Sequence, residues 1–218
     1  MTKICQKDER WGGVRIGNTW LKIEDWGCTI CSCCMALEKL RGSFCNPKNA
    51  AQYWRFNGRG EILWETDFNG MKFIWRGYRI DMDKIRDYAN SPNRAVIVRV
   101  SGLGTPHWLY VDKVYGSRRK DLSVVDPLDG KYYEELPAKY NINGFALFER
   151  AEMTIPDWMK EFFEKAQSKG LKIADPLTDL TIPKLEEVLF DLGIIDKKEG
   201  SITVGRLAVI LEKIKELW

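Results

Sequence analysis

Trp26-Gly27-Cys28-Thr29-Ile30-Cys31-Ser32-Cys33-Cys34-Met35-Ala36-Leu37-Glu38-Lys39-Leu40 carries four of the chain's six cysteines, and after Gly27 neither proline nor glycine interrupts it. Ile30, Cys34, Leu37 and Leu40 recur at helical spacing, so the run predicts a helix over 28–40. Cys28 opens that helix, where the positive end of the helix dipole lowers a thiol's pKa toward the reactive range. Gly27, lacking a Cβ, lets the backbone approach a substrate carbonyl so that the Cys28 amide can help to bind an oxyanion. Cys31 and Cys34 are expected to face the core as small hydrophobes, with Cys33 pointing elsewhere.

Outward from this helix the periodicity changes. Segments 61–66, 72–75, 95–100, 108–114, 122–125 and 145–149 are rich in β-branched and aromatic residues and read as strands. Phe68-Asn69-Gly70, Tyr115-Gly116-Ser117 and Asp129-Gly130 supply the turn chemistry between them. A second helix is expected over 82–88. A leading helix followed by mostly antiparallel strands makes an α+β architecture for residues 1–150. Beyond Arg150 the pattern is helical only. Pro156-Asp157-Trp158, Thr181-Ile182-Pro183 and Thr203 each open an amphipathic run, so residues 151–218 are expected to form a small all-α module.

Composition narrows the function classes. The chain has 218 residues, 44% of them hydrophobic and 30% charged, which fits a globular protein with a substantial core. A net charge of +3, evenly spread, gives no nucleic-acid footprint and at most favours an anionic surface such as a cell wall. No apolar run approaches the roughly 18 residues of a membrane span, and the first residues carry no signal region. The expectation is synthesis in a cytoplasm, with another route out if the protein acts outside. Cys5, Cys28, Cys31, Cys33, Cys34 and Cys45 are too crowded for a disulfide framework and read as free thiols.

The chain has one histidine, His107, so any cysteine or serine triad must use it as the base. It follows the small-residue loop Gly102-Leu103-Gly104-Thr105-Pro106 and opens the strand Trp108-Leu109-Tyr110-Val111. Cys28 is its natural partner. Hairpin pairing of 108–114 with 122–125 returns Asp126 to the start of the histidine strand, which makes it the candidate for orienting the imidazole. Asp129 competes, but Asp129-Gly130 reads better as a turn. Gln6, upstream of the nucleophile, has a side-chain amide of the type that fills an oxyanion hole, a donor valued at roughly 3 kcal/mol. Residue chemistry alone leaves Gln6 open as an exposed polar side chain.

Taken in order, Gln6-x-Asp8-x-x-Trp11-Gly12, Trp26-Gly27-Cys28-Thr29-Ile30 with Met35-Ala36-Leu37, His107-Trp108, and Asp126-Pro127 with Gly130 resemble the C39-like group of papain-fold cysteine peptidases. The resemblance covers about residues 4–150. It implies a papain-like fold, with Cys28 as nucleophile, His107 as base, Asp126 as its orienting acid and Gln6 as oxyanion donor. Cys31 departs from the threonine or serine usual there. The helical tail resembles short helical repeats appended to some phage lysins and cell-wall proteins, and equally suits a generic helical cap.

These readings imply a cysteine peptidase that needs no cofactor or metal, has a peptidoglycan or peptide substrate, and contacts the bacterial cell wall through its C-terminal helices. A phage endolysin made in the host cytoplasm fits best. Processing of a protein or leader-peptide substrate is an alternative, although such peptidases are commonly fused to membrane transporters. A non-enzymatic zinc protein built on Cys28, Cys31, Cys33, Cys34 and Cys45 is another, weakened by the lack of a second well-spaced cysteine pair.

Overall fold

The computed structural model describes residues 2–151 apart from 67, 69 and 103. The chain divides into two units, Met1–Glu152 and Met153–Trp218. The helices expected within 151–218 lie outside the described residues, as do Asn69 and Leu103 of the expected loops.

The described residues combine helices with one six-stranded antiparallel sheet, an α+β arrangement. In chain order the elements are α1 (Ile23–Trp26), α2 (Cys28–Arg41), α3 (Pro47–Tyr53), β1 (Met71–Gly77), α4 (Met82–Asn90), β2 (Arg94–Ser101), β3 (His107–Val114), β4 (Leu122–Asp126), β5 (Lys131–Tyr133) and β6 (Asn141–Arg150). Across the sheet they lie β1-β6-β2-β3-β4-β5, each pair antiparallel. The last strand thus inserts between the first and second.

Alternation along the central strands separates two cores. Ala95, Ile97, Trp108, Tyr110, Ala146 and Phe148 belong to the cluster that contains α2. Val96, Val98, Leu109, Val111, Phe145 and Leu147 pack with Ile85 and Ala89 of α4. Both faces of the sheet are therefore covered, and this explains why residues 95–98 of β2 are apolar and buried without alternation.

Local chemistry sets the helix ends. Gly42 adopts φ 71° after α2 and returns its N–H to the Glu38 carbonyl, a left-handed stop. Asp81 caps α4 by accepting from the Lys84 N–H. Asn46 with Pro47 at the first turn starts α3.

Two expectations need correction. Residues 61–66 form no strand; only an isolated bridge joins Ile62 to Phe56. The Asn57 side chain accepts from the N–H groups of Arg59 and Glu61 and fixes a local turn, so the apolar residues after it have no strand partner. Cys33 does not point outward. Residues 30–37 are all buried, because α2 is surrounded on every side, and its one-sided apolar pattern understates its burial. The short elements α1, α3 and β5 were not expected.

Candidate active site

Cys28 is the first residue of α2, and only Gly27 separates it from the end of α1 at Trp26. The junction is tight. A Cβ on Gly27 would sit 2.5 Å from Ile23 Cγ2, 2.6 Å from the Ile23 carbonyl oxygen and 2.9 Å from its Cα, so only glycine lets the two helices abut there. This packing fixes where the Cys28 thiol emerges. The first N–H groups of a helix have no intrahelical acceptor and point toward the same place, as an oxyanion site requires.

His107 is the first residue of β3, paired across the sheet with Val100. The Ser32 hydroxyl of α2 donates to the Trp108 carbonyl at 3.2 Å, which ties the Cys28 helix to the histidine strand. Asp126 ends β4, where Val125 lies opposite Tyr110, so the register carries the aspartate back to the start of β3. His107 Nε2 lies 2.7 Å from Asp126 Oδ1, and both residues are buried. With Nε2 engaged, Nδ1 is the ring nitrogen left for the cysteine. Cys28 lies near enough to the imidazole and to the Trp108 backbone for both to bear on its ionisation.

The electrostatics follow from these contacts. Burial favours the neutral Cys28 thiol, but the hydrogen bond and charge of His107, the Trp108 N–H and the Thr29 hydroxyl outweigh it and bring the thiol below its ordinary value. Burial also opposes charge on His107. The hydrogen bonds to Asp126 and Cys28 outweigh that cost and raise the imidazole to about 9. Asp126 is likewise opposed by burial yet held below the usual carboxylate range by His107, Tyr140 and the Leu128 N–H. These shifts work in one direction, moving the thiol proton toward the imidazole with a carboxylate behind it. The pair titrates as a unit.

The other cysteines differ. Burial pushes the thiols of Cys31, Cys33 and Cys34 well above the ordinary range. All six cysteines are free thiols. Among the described residues no group of three or more His, Cys, Asp or Glu side chains is placed to hold a metal ion. Nor is any helix there long and apolar enough to cross a membrane.

Gln6 is buried and bridges two parts of the site. Its backbone N–H donates to the Pro127 carbonyl at 2.7 Å, just beyond Asp126. Its side-chain Nε2 donates to the Glu24 carbonyl at 2.8 Å in α1, the helix that abuts Cys28. The amide keeps a second N–H, and Oε1 is buried without a partner. Trp11 supports this segment by donating from Nε1 to the Cys5 carbonyl at 2.7 Å.

Tyr140 was not singled out from sequence. Its hydroxyl donates to Asp126 Oδ2 at 2.5 Å, and its ring lies 6.1 Å from that of His107. The loop before the histidine packs against the same segment: a Cβ on Gly102, whose φ is 126°, would meet the Lys139 carbonyl oxygen at 1.9 Å. No local sequence pattern links Tyr140 to a carboxylate fourteen residues earlier.

Cys28 opens onto a groove of about 960 Å³ whose walls include Trp20, Trp26, Trp64, Tyr78 and Trp108. Trp20 is 78% exposed and Trp26 53% exposed, so these rings face solvent rather than the core. No family model, curated protein or solved structure matches the chain.

Proposed function

We propose that this chain is a cysteine peptidase of the papain-like, C39-like kind, hydrolysing a peptide or amide bond through a thioester on Cys28. The observation that carries the reading is the buried 2.7 Å bond from His107 to Asp126 beside Cys28 at the start of α2, with the thiol lowered and the imidazole raised by their mutual influence. The thiolate adds to the substrate carbonyl, and the oxyanion is received by helix-start N–H groups and the Gln6 amide. The His107 imidazolium gives its proton to the departing amine, the C–N bond breaks and a thioester remains. Neutral His107 then takes a proton from water, whose oxygen attacks the thioester carbonyl. The products are a carboxylic acid and the restored cysteine. Asp126 holds the imidazole in position and stabilises its charge.

Peptidoglycan stem peptides or cross-bridges are the proposed substrate, and 151–218 are proposed as a small helical module that contacts the cell wall. The long, open, aromatic groove at Cys28 suits an extended peptide. An endolysin role follows from that substrate and from the tail's resemblance to lysin repeats. Incubation with purified sacculi from several bacteria, followed by labelling of released termini, tests it. New amino termini that vanish with Cys28→Ala are expected. Undiminished release by that variant, or release of reducing sugar ends alone, contradicts the proposal.

A further inference from the structure

Away from the reacting groups, the groove carries an unusual charge arrangement. Arg76 on β1 places its guanidinium 5.1 Å from the Trp64 ring centroid and 5.9 Å from that of Tyr78. Arg99 on β2 places its own guanidinium 5.6 Å from the same Tyr78 ring. One tyrosine therefore lies between two cations. β6 separates their strands, and Gly144 sits there opposite Arg99. A Cβ at Gly144 would lie 3.4 Å from both Arg99 Cβ and Tyr78 Cδ1 and 3.1 Å from the Gly77 carbonyl oxygen. The absent side chain leaves room for the arginine and the tyrosine to meet.

Neither guanidinium has a carboxylate within 4.0 Å among the described residues, unlike those of Arg10, Arg86, Arg94 and Arg118. Arg99 uses one donor on Asn143 Oδ1 at 3.2 Å. The groove also holds Glu61 and Glu65, but Glu61 is engaged by Asn57 Nδ2 at 2.7 Å and neither pairs with Arg76 or Arg99. Each guanidinium lies within cation–π range of its rings, and a guanidinium with donors to spare can grip a carboxylate in two places. Two such cations lining one groove without a counter-ion favour an anionic ligand there.

We infer that Arg76 and Arg99, with Tyr78 between them, form a carboxylate-binding subsite that selects substrates bearing a negative charge a few residues from the scissile bond. The inference rests on the peptidase reading for its role, although the subsite itself can be tested without catalysis. Trp64 and Trp108 connect it to the nucleophile. Their ring centroids are 5.5 Å apart, the Arg76 guanidinium lies 5.1 Å from the former, and the latter lines the groove beside Cys28. An extended peptide, rising about 3.3 Å per residue, spans that row of rings in about three residues. The carboxylate comes either from an acidic side chain or from a free carboxyl terminus.

Full-length protein carrying Cys28→Ala allows binding to be measured without turnover. The probes are alanine-glycine hexapeptides with glutamate placed at each position in turn, matched glutamine peptides, and end-matched pairs with a free or amidated carboxyl terminus. At one position, or at the terminus, the charged peptide is expected to bind at least about tenfold tighter than its neutral match, and which arm shows it identifies the source of the carboxylate. Adding Arg76→Gln and Arg99→Gln should reduce that preference to less than about twofold, with the loss falling on the charged peptides rather than on the neutral ones; Arg76→Lys should retain part of it. Equal binding of charged and neutral peptides throughout, or a preference that survives both glutamine substitutions, overturns the subsite. Turnover of the same peptides by protein with Cys28 intact separates the two ideas. Charge-selective binding without any Cys28-dependent cleavage of peptides or sacculi contradicts the peptidase reading and leaves the subsite standing.

Discussion

Tyr140 donates its hydroxyl to Asp126 Oδ2 at 2.5 Å, on the carboxylate oxygen opposite the one that holds His107. The carboxylate is thereby locked between a phenol and an imidazole, and the Leu128 N–H adds a third donor at 2.9 Å. Removing one of three donors around a buried charge leaves an oxygen unsatisfied. Tyr140→Phe should cost about 1–3 kcal/mol in urea unfolding at neutral pH. Burial raises the Asp126 pKa and the three donors overcome it. A depressed carboxylate contributes stability above its unfolded pKa and loses it as pH falls through the folded value. The difference between wild type and Tyr140→Phe should therefore be full at pH 7 and shrink below the ordinary carboxylate range. A difference that stays constant down to pH 2 contradicts this role.

Proton occupancy at the site predicts the pH profile. The active form needs Cys28 ionised and His107 protonated, so activity should rise as pH climbs through the lowered thiol value and fall as it passes the imidazole's, about 9. The Asp126→Asn variant weakens the support for imidazolium, so its alkaline limb should move to lower pH. Measuring kcat/KM from pH 4 to 11 checks both limbs. An alkaline limb unmoved by Asp126→Asn contradicts the assigned coupling.

Gly27→Ala tests the junction that presents the nucleophile. The added methyl meets backbone atoms of Ile23, which no rotamer change can move aside. A loss of about 1–3 kcal/mol in stability is expected, as for overpacking of a tight contact. Gly13→Ala is the matched control, since a Cβ there meets nothing within 4 Å, and it should change stability by less than about 0.5 kcal/mol. Equal effects of the two substitutions contradict a steric requirement at Gly27.

Gln6 has two separable roles. If its second amide N–H receives the oxyanion, Gln6→Ala should lower kcat by about 10²-fold or more with little change in KM. A peptide aldehyde, whose hemithioacetal on Cys28 mimics the tetrahedral state, should lose affinity in parallel. Lowered stability with kcat and aldehyde affinity intact would instead restrict Gln6 to bridging the Pro127 and Glu24 carbonyls.

Much of the placement of Cys28, His107 and Asp126 could be read from sequence because it is carried by regular elements. The uninterrupted run after Gly27 starts α2 at Cys28, and the single histidine opens a strand whose hairpin partner ends at Asp126. What escaped the reading depends on contacts made across the fold. Ile62, Leu63 and Trp64 have strand-like side chains, yet the Asn57 turn keeps them in a loop along the groove. Cys33 is buried because neighbours cover the far side of α2, which no periodicity reports. Tyr140 and the Arg76–Tyr78–Arg99 arrangement arise from strand order, with β6 returning between β1 and β2.

The central claim is that His107 makes Cys28 a thiolate at a pH where ordinary thiols are protonated. The most direct measurement is the pH dependence of iodoacetamide alkylation at each cysteine, resolved by peptide mapping, in wild type and His107→Gln. Cys28 should alkylate fastest among the six, with an apparent pKa below the ordinary thiol value that rises when His107 is replaced. Alkylation of Cys28 no faster than that of Cys5 or Cys45 at pH 6, or a pKa indifferent to His107→Gln, would contradict it.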